Sequence, residues 1–421
     1  MHNPLTGKTV FVQMAAYRDP QLKGTLKDLF AKADEPENLS VCVCWQHDDK
    51  DEWDDLDDYK DNLNVNILDY KASESKGACW ARHKIQQEYN GEDFTLQLDS
   101  HHRFIKGWDT ELKNMYYGLQ LDGYEKPLIT AYIPGYDDKT GKPIDSEPWR
   151  LYYNYFGHDG PLHTMPETIP DYKKLTGPVP SRFFSAHWAF ADGDFSKNVQ
   201  HDPKMYFHGE EITLAVRAFT HGYDLFHPHK TLAWHHYGRK DNPKHWDDDT
   251  TYNDYNSVSY ERVRKLLGIG GEKFNNDFNY KYGFGTERTL EEYERYAGIR
   301  FSDKGVQQYT LDRKYPSNPE YKNKKLYNQS FTHPFKYCVN VYREHLKEND
   351  YICFAFAFKD KDGNDLHRQD VVESELPDLL KGTDDWIKLW REFDTIDKPH
   401  SWLVWPNSKK KGWCDPITGI I

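Results

Sequence analysis

No two cysteines of this chain stand at CxxC spacing. The six present, Cys42, Cys44, Cys79, Cys338, Cys353 and Cys414, are scattered. That excludes a zinc ribbon and gives no disulfide framework; reduced, mostly buried thiols are expected. Apolar runs are equally scarce, and no window approaches the ~18 residues that a membrane span needs. The N-terminus, MHNPLTGKTVFVQMAAYRDP, has no charged segment followed by a long apolar one, so it does not read as a secretory signal. A cytoplasmic setting without a membrane partner is expected. Excess positive charge is missing too. A net charge of −13 leaves no basic stripe of the kind that phosphate neutralisation requires, which disfavours nucleic acid as a partner. A local basic patch remains at Lys409–Lys411. Internal repeats are absent, and nothing in the sequence sets the oligomeric state.

What is present points to two or three domains, since 421 residues exceed one ordinary core. The first hundred residues alternate strand and helix signals, which predicts a parallel sheet. Strands are expected over Thr9–Tyr17, Leu39–Gln46, Val65–Tyr70 and FTLQL, with helices over Pro20–Ala33 and Lys76–Tyr89. Polar residues collect just after the strand ends: Tyr17, Arg18 and Asp19, then His47 and Asp48, then Asp99 to Arg103. In open α/β sheets that edge binds ligands. Residues 122–182, rich in Tyr, Pro and Gly, read as a long functional loop. HGEEITLAVRAFTHG supplies a further helix, and a strand through KTLAWHHY ends near His236. Residues 304–328 read as a linker or extended arm. Residues 329–421 alternate in β fashion and predict a small all-β, sandwich-like domain with one helix around Trp386–Phe393.

The motif that carries chemistry is Asp99-Ser100-His101 at the end of FTLQL. A carboxylate and an imidazole two positions apart suit Mn²⁺ or Mg²⁺, with other positions left for water and phosphate oxygens. Alone this is weak, because 20 His and 68 acids in 421 residues give about three acid-x-His pairs by chance.

Several ordered segments add to it: VFVQMAAYRDPQL, CVCWQHD, ARHKIQQEYNGEDFTLQLDSHHRFIKGWD, FHGEEITLAVRAFTHGYDLFHP, WHHYGRKDNPKHWDDD and YGFGTERTLEEYERYAGIRF. Together they resemble the GlcNAc-transferase family of the GT-A fold that includes the cytoplasmic hydroxyproline-polypeptide GlcNAc-transferases. More distantly, LDSHHR and HGEE…R are similar to elements of the polypeptide GalNAc-transferases. The resemblance implies a Rossmann-like GT-A domain over residues 1–303 and a metal-dependent, retaining transfer from a UDP-sugar, GlcNAc foremost, to a hydroxyl, with polypeptide as the leading acceptor. It implies Asp99 and His101 as metal ligands with a third from a later strand, His235 preferred over His236. Arg239 would face the diphosphate. Ala15, Tyr17, Asp19, His47 and Asp48 would surround the uridine, and Arg82, Ser100, His187 and Trp188 would complete the donor site. Glu210, seven residues before Arg217, would contact the donor sugar, and Glu211 would lie on the acceptor side.

Other acceptors stay open, a modified nucleic-acid base or a glycan, as does a non-catalytic carbohydrate-binding protein. His245-Trp246-Asp247 or His47-Asp48-Asp49 could also be cast as the ligands of a non-haem iron dioxygenase, but that chemistry needs a β-barrel.

Overall fold

The computed structural model describes residues 6–157, 160–238, 242–272, 281–382 and 384–421. Its N-terminal part is built on β1 (Val10–Tyr17), α1 (Leu22–Lys32), β2 (Leu39–His47), β3 (Val65–Lys71), α2 (Ala78–Gln86), β4 (Phe94–Asp99), β5 (His102–Phe104), α3 (Trp108–Leu121) and β6 (Pro127–Thr130). There follow β7 (Trp149–Phe156), β8 (Leu162–Thr168), β9 (Val179–Pro180), β10 (Trp188–Asp192), α4 (Asp194–Asn198), α5 (Glu210–Thr220), β11 (Asp224–His227), β12 (Ala233–His235), α6 (His245–Asp248), α7 (Tyr252–Leu267) and α8 (Leu290–Ala297).

Eight strands form one open sheet in the order β3-β2-β1-β4-β10-β6-β11-β9. The α/β class is as expected, but the sheet is mixed. β10 runs antiparallel to both β4 and β6, so the parallel pattern of the first hundred residues does not extend across it. An open sheet also removes the barrel that the dioxygenase reading requires.

Strand β1 shows why the sheet is covered on both faces. Val10, Val12, Met14 and Ala16 pack with Leu22, Leu26 and Leu29 of α1 and with Trp108 and Leu112 of α3. The alternate residue Phe11 packs with Ala81 and Ile85 of α2. Side chains on a strand point alternately to opposite faces, so a doubly covered strand is nearly continuously apolar; the buried exception, Gln13, donates to Thr95 Oγ1 and Ser196 Oγ.

Register decides what meets at the sheet's edge. Ala15 is paired with Asp99 and Tyr17 with Gln46. A short ribbon stands apart from the sheet: β5 pairs with β12, placing His102 opposite His235. This ribbon carries a late segment of the chain back to the end of β4.

Residues 122–182, expected as irregular, contain β6 and the β7–β8 hairpin. Their Tyr-rich alternation is a strand signal obscured by the surrounding Pro and Gly. Residues 304–328, expected as a linker, hold β14 (Gly305–Gln307), α9 (Gln308–Leu311) and α10 (Lys324–Gln329). Strand β14 pairs with β13 (Ile299–Arg300) and β15 (Phe331–Thr332).

The C-terminal part contains β16 (Pro334–Tyr342), β17 (Tyr351–Lys359), β18 (Asp365–Arg368), β19 (Val371–Val372), β20 (Trp386–Asp394) and β21 (Ser401–Ser408). The β16–β20 pair packs Val339, Val341, Ile387 and Leu389 against Phe354, Phe356 and Val404 of β17 and β21. The expected helix around Trp386–Phe393 is strand β20. Buried Ile387 and Leu389 alternate there with exposed Trp386, Lys388 and Trp390, a period of two that a helix cannot serve.

All six cysteines are unpaired; Cys42, Cys44 and Cys79 are buried and the other three partly so. Among the described residues no helix is long and apolar enough to cross a membrane.

Buried Arg182 ties the later segment to the sheet, donating to Ala297 O at 2.9 Å, Lys314 O at 2.5 Å and Asn318 Oδ1 at 2.6 Å. Arg182→Met removes the donor to Lys314 O and Asn318 Oδ1, while Ala297 O keeps the Thr310 hydroxyl at 2.7 Å, and each unpaired acceptor costs about 1–3 kcal/mol. A drop in unfolding free energy of about 3 kcal/mol or more is expected in a denaturant titration.

Candidate functional site: a three-ligand centre between two cavities

Strand β4 ends on Asp99, and the turn that follows presents His101 beside it. The β5–β12 ribbon delivers His235. One ligand atom from each of Asp99, His101 and His235 lies within 4.8 Å of the others. His235 Nε2 is 3.3 Å from Asp99 Oδ2, and His101 Nε2 is 3.7 Å from the same oxygen. His236, the alternative, sits on the opposite side of the strand, with Nε2 3.9 Å from Asp138.

The protonation states suit a cation. Burial alone would push the Asp99 carboxyl up, but the hydrogen bond from His235 and the charge of Arg82 hold it well below the usual carboxylate range. Burial, reinforced by the nearby His101, keeps His235 neutral, with its pKa well below the usual imidazole value. A neutral imidazole offers the lone pair that a metal needs.

A second layer of contacts fixes the first. Asp19 is buried, and its Oδ2 lies 2.8 Å from His101 Nδ1 and accepts the Ser100 hydroxyl at 2.5 Å. A carboxylate on Nδ1 holds that nitrogen's proton and leaves Nε2 as the ligand atom. Arg82, from α2, donates to Asp99 Oδ1 at 2.6 Å and to both oxygens of Glu210 at 2.6 and 2.7 Å. His201 Nδ1 lies 2.9 Å from Glu210.

Two cavities meet at Asp99 and Arg82. One, of about 290 Å³, is walled by Ala15, Tyr17, Gln46, Gly77, Tyr206 and His245 among others. Gly77 has φ 99°, and a Cβ there would run into the Tyr206 ring, so both the backbone and the wall require glycine. The other, of about 330 Å³, is walled by Tyr132, His163, His187, His208, Glu211 and Tyr237 among others. Glu211 accepts from Tyr132 Oη at 2.7 Å and from the Ala186 amide at 3.0 Å, yet burial pushes its carboxyl up to about 7.

A family model described as "Glycosyltransferase (GlcNAc)" matches residues 9–62 and 55–303. The chain belongs to this glycosyltransferase family. Among curated proteins none matches it in sequence. Of solved structures, GalNAc-T7 with UDP, GalNAc and Mn²⁺ is similar at 14% identity and a TM-score of 0.43, over 68% of this chain and 56% of that one. This chain thus spans little more than half of the GalNAc-T7 chain. Staphylococcus aureus TarS 1–349 in complex with UDP-GlcNAc is similar at 15% identity and a TM-score of 0.37, over 68% of this chain and 70% of that one. The mannosyltransferase PcManGT from Pyrobaculum calidifontis, in complex with GDP-Man and Mn²⁺, is similar at 12% identity and a TM-score of 0.37, over 56% and 59% of the two chains.

Within this glycosyltransferase the residues singled out from sequence fall into three groups. Ala15, Tyr17, Arg82, Asp99, Ser100 and His101 line the first cavity; Glu210, Glu211, His187 and His235 line the second. Four expected donor contacts are placed otherwise. Trp188 is fully buried in the core with Phe104 and Trp108, because its strand position faces α3 rather than the cavities. The His47 ring stacks on Trp45 at 3.9 Å and its Nε2 meets Asp69 at 2.9 Å. Asp48 holds a turn through the Lys50 amide at 3.0 Å. Asp19 supports His101 from beneath, as described above. Glu210 reaches the second cavity, but Arg82 occupies both of its oxygens. Arg239 lies outside the described residues.

Sequence reasoning missed Gln46, Ser75, Gly77, Tyr206, Phe207 and Trp246 in the first cavity. Of these only Gly77, just before a helix that follows a strand, carried a sequence signal. Asp19→Asn replaces the carboxylate beside His101 Nδ1 by a neutral amide and should weaken divalent-cation affinity about 10- to 100-fold, measured by titration calorimetry in parallel with the unfolding midpoint in cation-free buffer.

Proposed function

We propose that this protein transfers a sugar, GlcNAc foremost, from a UDP-sugar to a hydroxyl on a polypeptide, with Mn²⁺ or Mg²⁺ as cofactor. The observation that carries this reading is the meeting of Asp99, His101 and His235 at the junction of two cavities. One cavity is the right size for a nucleotide and the other for a sugar with its acceptor.

Residues fit the cation by chemistry: one ionised carboxylate and two imidazoles, a mixed set that suits a borderline ion. Bound there, the ion supplies charge stabilisation to the departing diphosphate. The chain's own residues do the rest. Tyr17 and Ala15 border the base, and Arg82 holds Asp99 through Oδ1, so Oδ2 would be the oxygen offered to the ion. Arg239, by family resemblance, would meet the diphosphate. Glu211 accepts a hydrogen bond from the acceptor hydroxyl and orients it. In this reading the sugar's configuration is retained, the leaving phosphate taking the acceptor's proton. Residues 1–303 are the catalytic unit, residues 304–328 connect it to the rest, and residues 329–421 form a β-rich module on the acceptor side.

A panel of nucleotide-sugars with Mn²⁺ tests this directly, since a transferase leaks some sugar to water. UDP-GlcNAc hydrolysis is expected, lost on chelation. Asp99→Ala and His235→Ala should each lower it by about 100-fold or more with far-UV circular dichroism unchanged, because Arg82 keeps Glu210 as a partner. Silence toward every nucleotide-sugar, or near-normal turnover in either variant, would refute the assignment.

Glu211 gives a pH signature. Its carboxyl is protonated below about 7 and can accept a hydrogen bond at both oxygens only above it. Transfer to an acceptor should therefore rise as pH passes through about 7, and Glu211→Gln should flatten that step.

A further inference from the structure

Strands β16 and β20 form a two-stranded ribbon on one side of the C-terminal sandwich. Side chains alternate along a strand, so the neighbours of core residues Val339, Val341, Ile387 and Leu389 point the other way. On β20 these are Trp386, Lys388, Trp390 and Glu392, all exposed. Their partners across the ribbon are, in the same order, Tyr342, Asn340, Cys338 and Lys336. Trp386 is 49% exposed and Trp390 54%. The Tyr342 and Trp386 rings lie 5.0 Å apart, and Lys336 Nζ stands 5.9 Å from the centre of the Trp390 ring. The face is therefore aromatic at two places, with Asn340 opposite Lys388 between them.

Three classes of partner meet this composition differently. A polyanion needs surplus positive charge, but Lys336 and Lys388 are offset here by Glu392, 4.0 Å from Lys336, and by Asp394. A protein interface centres on an apolar core depleted of Lys, Glu and Asp. No Leu, Ile, Val or Met points outward from either strand, and charged residues stand directly beside the indoles. A glycan fits both features. The C–H face of a sugar ring is apolar and stacks on a flat, rigid indole, while its rim of hydroxyls bonds to amide, ammonium and carboxylate groups. An uncharged chain of this kind complements a face whose own charges balance. The two indoles are four residues apart on one strand, about 13 Å, which is further than a single sugar ring reaches. Linked sugars, not a monosaccharide, are the matching ligand.

We propose that the outward face of the β16–β20 ribbon binds a glycan chain, its rings stacking on Trp386 and Trp390 and its hydroxyls bonding to Asn340 and Lys388. None of these residues lines either cavity at Asp99, so the surface is separate from the transfer site and independent of which hydroxyl accepts the sugar.

The test titrates the full chain, by calorimetry and tryptophan fluorescence, with chitohexaose, cellohexaose and maltohexaose and with their monosaccharides. At least one hexasaccharide is expected to bind about tenfold or more tightly than its monosaccharide, and Trp386→Ala and Trp390→Ala should each weaken it about tenfold or more. UDP-GlcNAc hydrolysis and the unfolding midpoint should stay as in the parent chain, and Asp99→Ala should bind the glycan as well as the parent does. Trp390→Phe, which keeps an aromatic face, should retain binding and so separates stacking from loss of fold. Failure of all three hexasaccharides, or binding that survives Trp386→Ala and Trp390→Ala together, would overturn the proposal. So would a single-stranded oligonucleotide bound at this face, or a concentration-dependent dimer abolished by Trp390→Ala, which would give the surface to a polyanion or to a second copy of the chain.

Discussion

The site depends on one carboxylate being kept ionised while partly buried. Asp99 sits at the end of a central strand with its side chain sunk between two cavities, where burial alone would neutralise it. Three neighbours prevent this: Arg82 on one oxygen, and His235 and His101 near the other. A lone buried charge costs several kcal/mol, whereas one that is paired and hydrogen-bonded persists. The same arrangement leaves Oδ2 facing both imidazoles, so the groups that stabilise the anion also define where a cation would sit.

This requirement spreads through the surrounding polar network. Arg82 needs a second partner to be buried itself, and Glu210 at the start of α5 supplies it. Glu210 in turn lies against His201, whose Nε2 meets Gln97 at 2.6 Å, and Gln97 donates to Ala186 O at 2.6 Å. The Ala186 amide then donates to Glu211. Two adjacent acids of one helix start therefore have different tasks. Glu210 is locked as a counter-charge, and Glu211, with a neutral tyrosine and an amide as partners, is left to titrate near neutrality. Such divergent environments are how neighbouring carboxyl groups acquire separate roles.

Much of the architecture was legible from patterning. Apolar runs such as VFVQMAAY and LSVCVCWQ are doubly covered strands, and of the polar residues after the strand ends Tyr17, Asp99, Ser100 and His101 line a cavity while His47 and Asp48 do not. Asp99 and His101 were readable as a pair because two residues across a strand end are local. Reading failed where local pattern was ambiguous or where direction mattered. WIKLWREF fits either period over so short a stretch, and only packing against Phe354 and Phe356 selects the strand. Trp188 and His187 are neighbours in sequence yet face opposite sides of the sheet, so only one reaches a cavity.

By itself the sequence determined the α/β class, the glycosyltransferase resemblance and the chemical types available at the strand ends. Those follow from periodicity and from residues close together along the chain. The tertiary structure decided that His235 and not His236 turns toward Asp99, that Asp19 supports His101 instead of lining the pocket, and that Tyr206 and Trp246 close the first cavity. Each of these is a contact across more than eighty positions, fixed by strand register and by the side from which a side chain leaves the backbone. No local pattern encodes that direction.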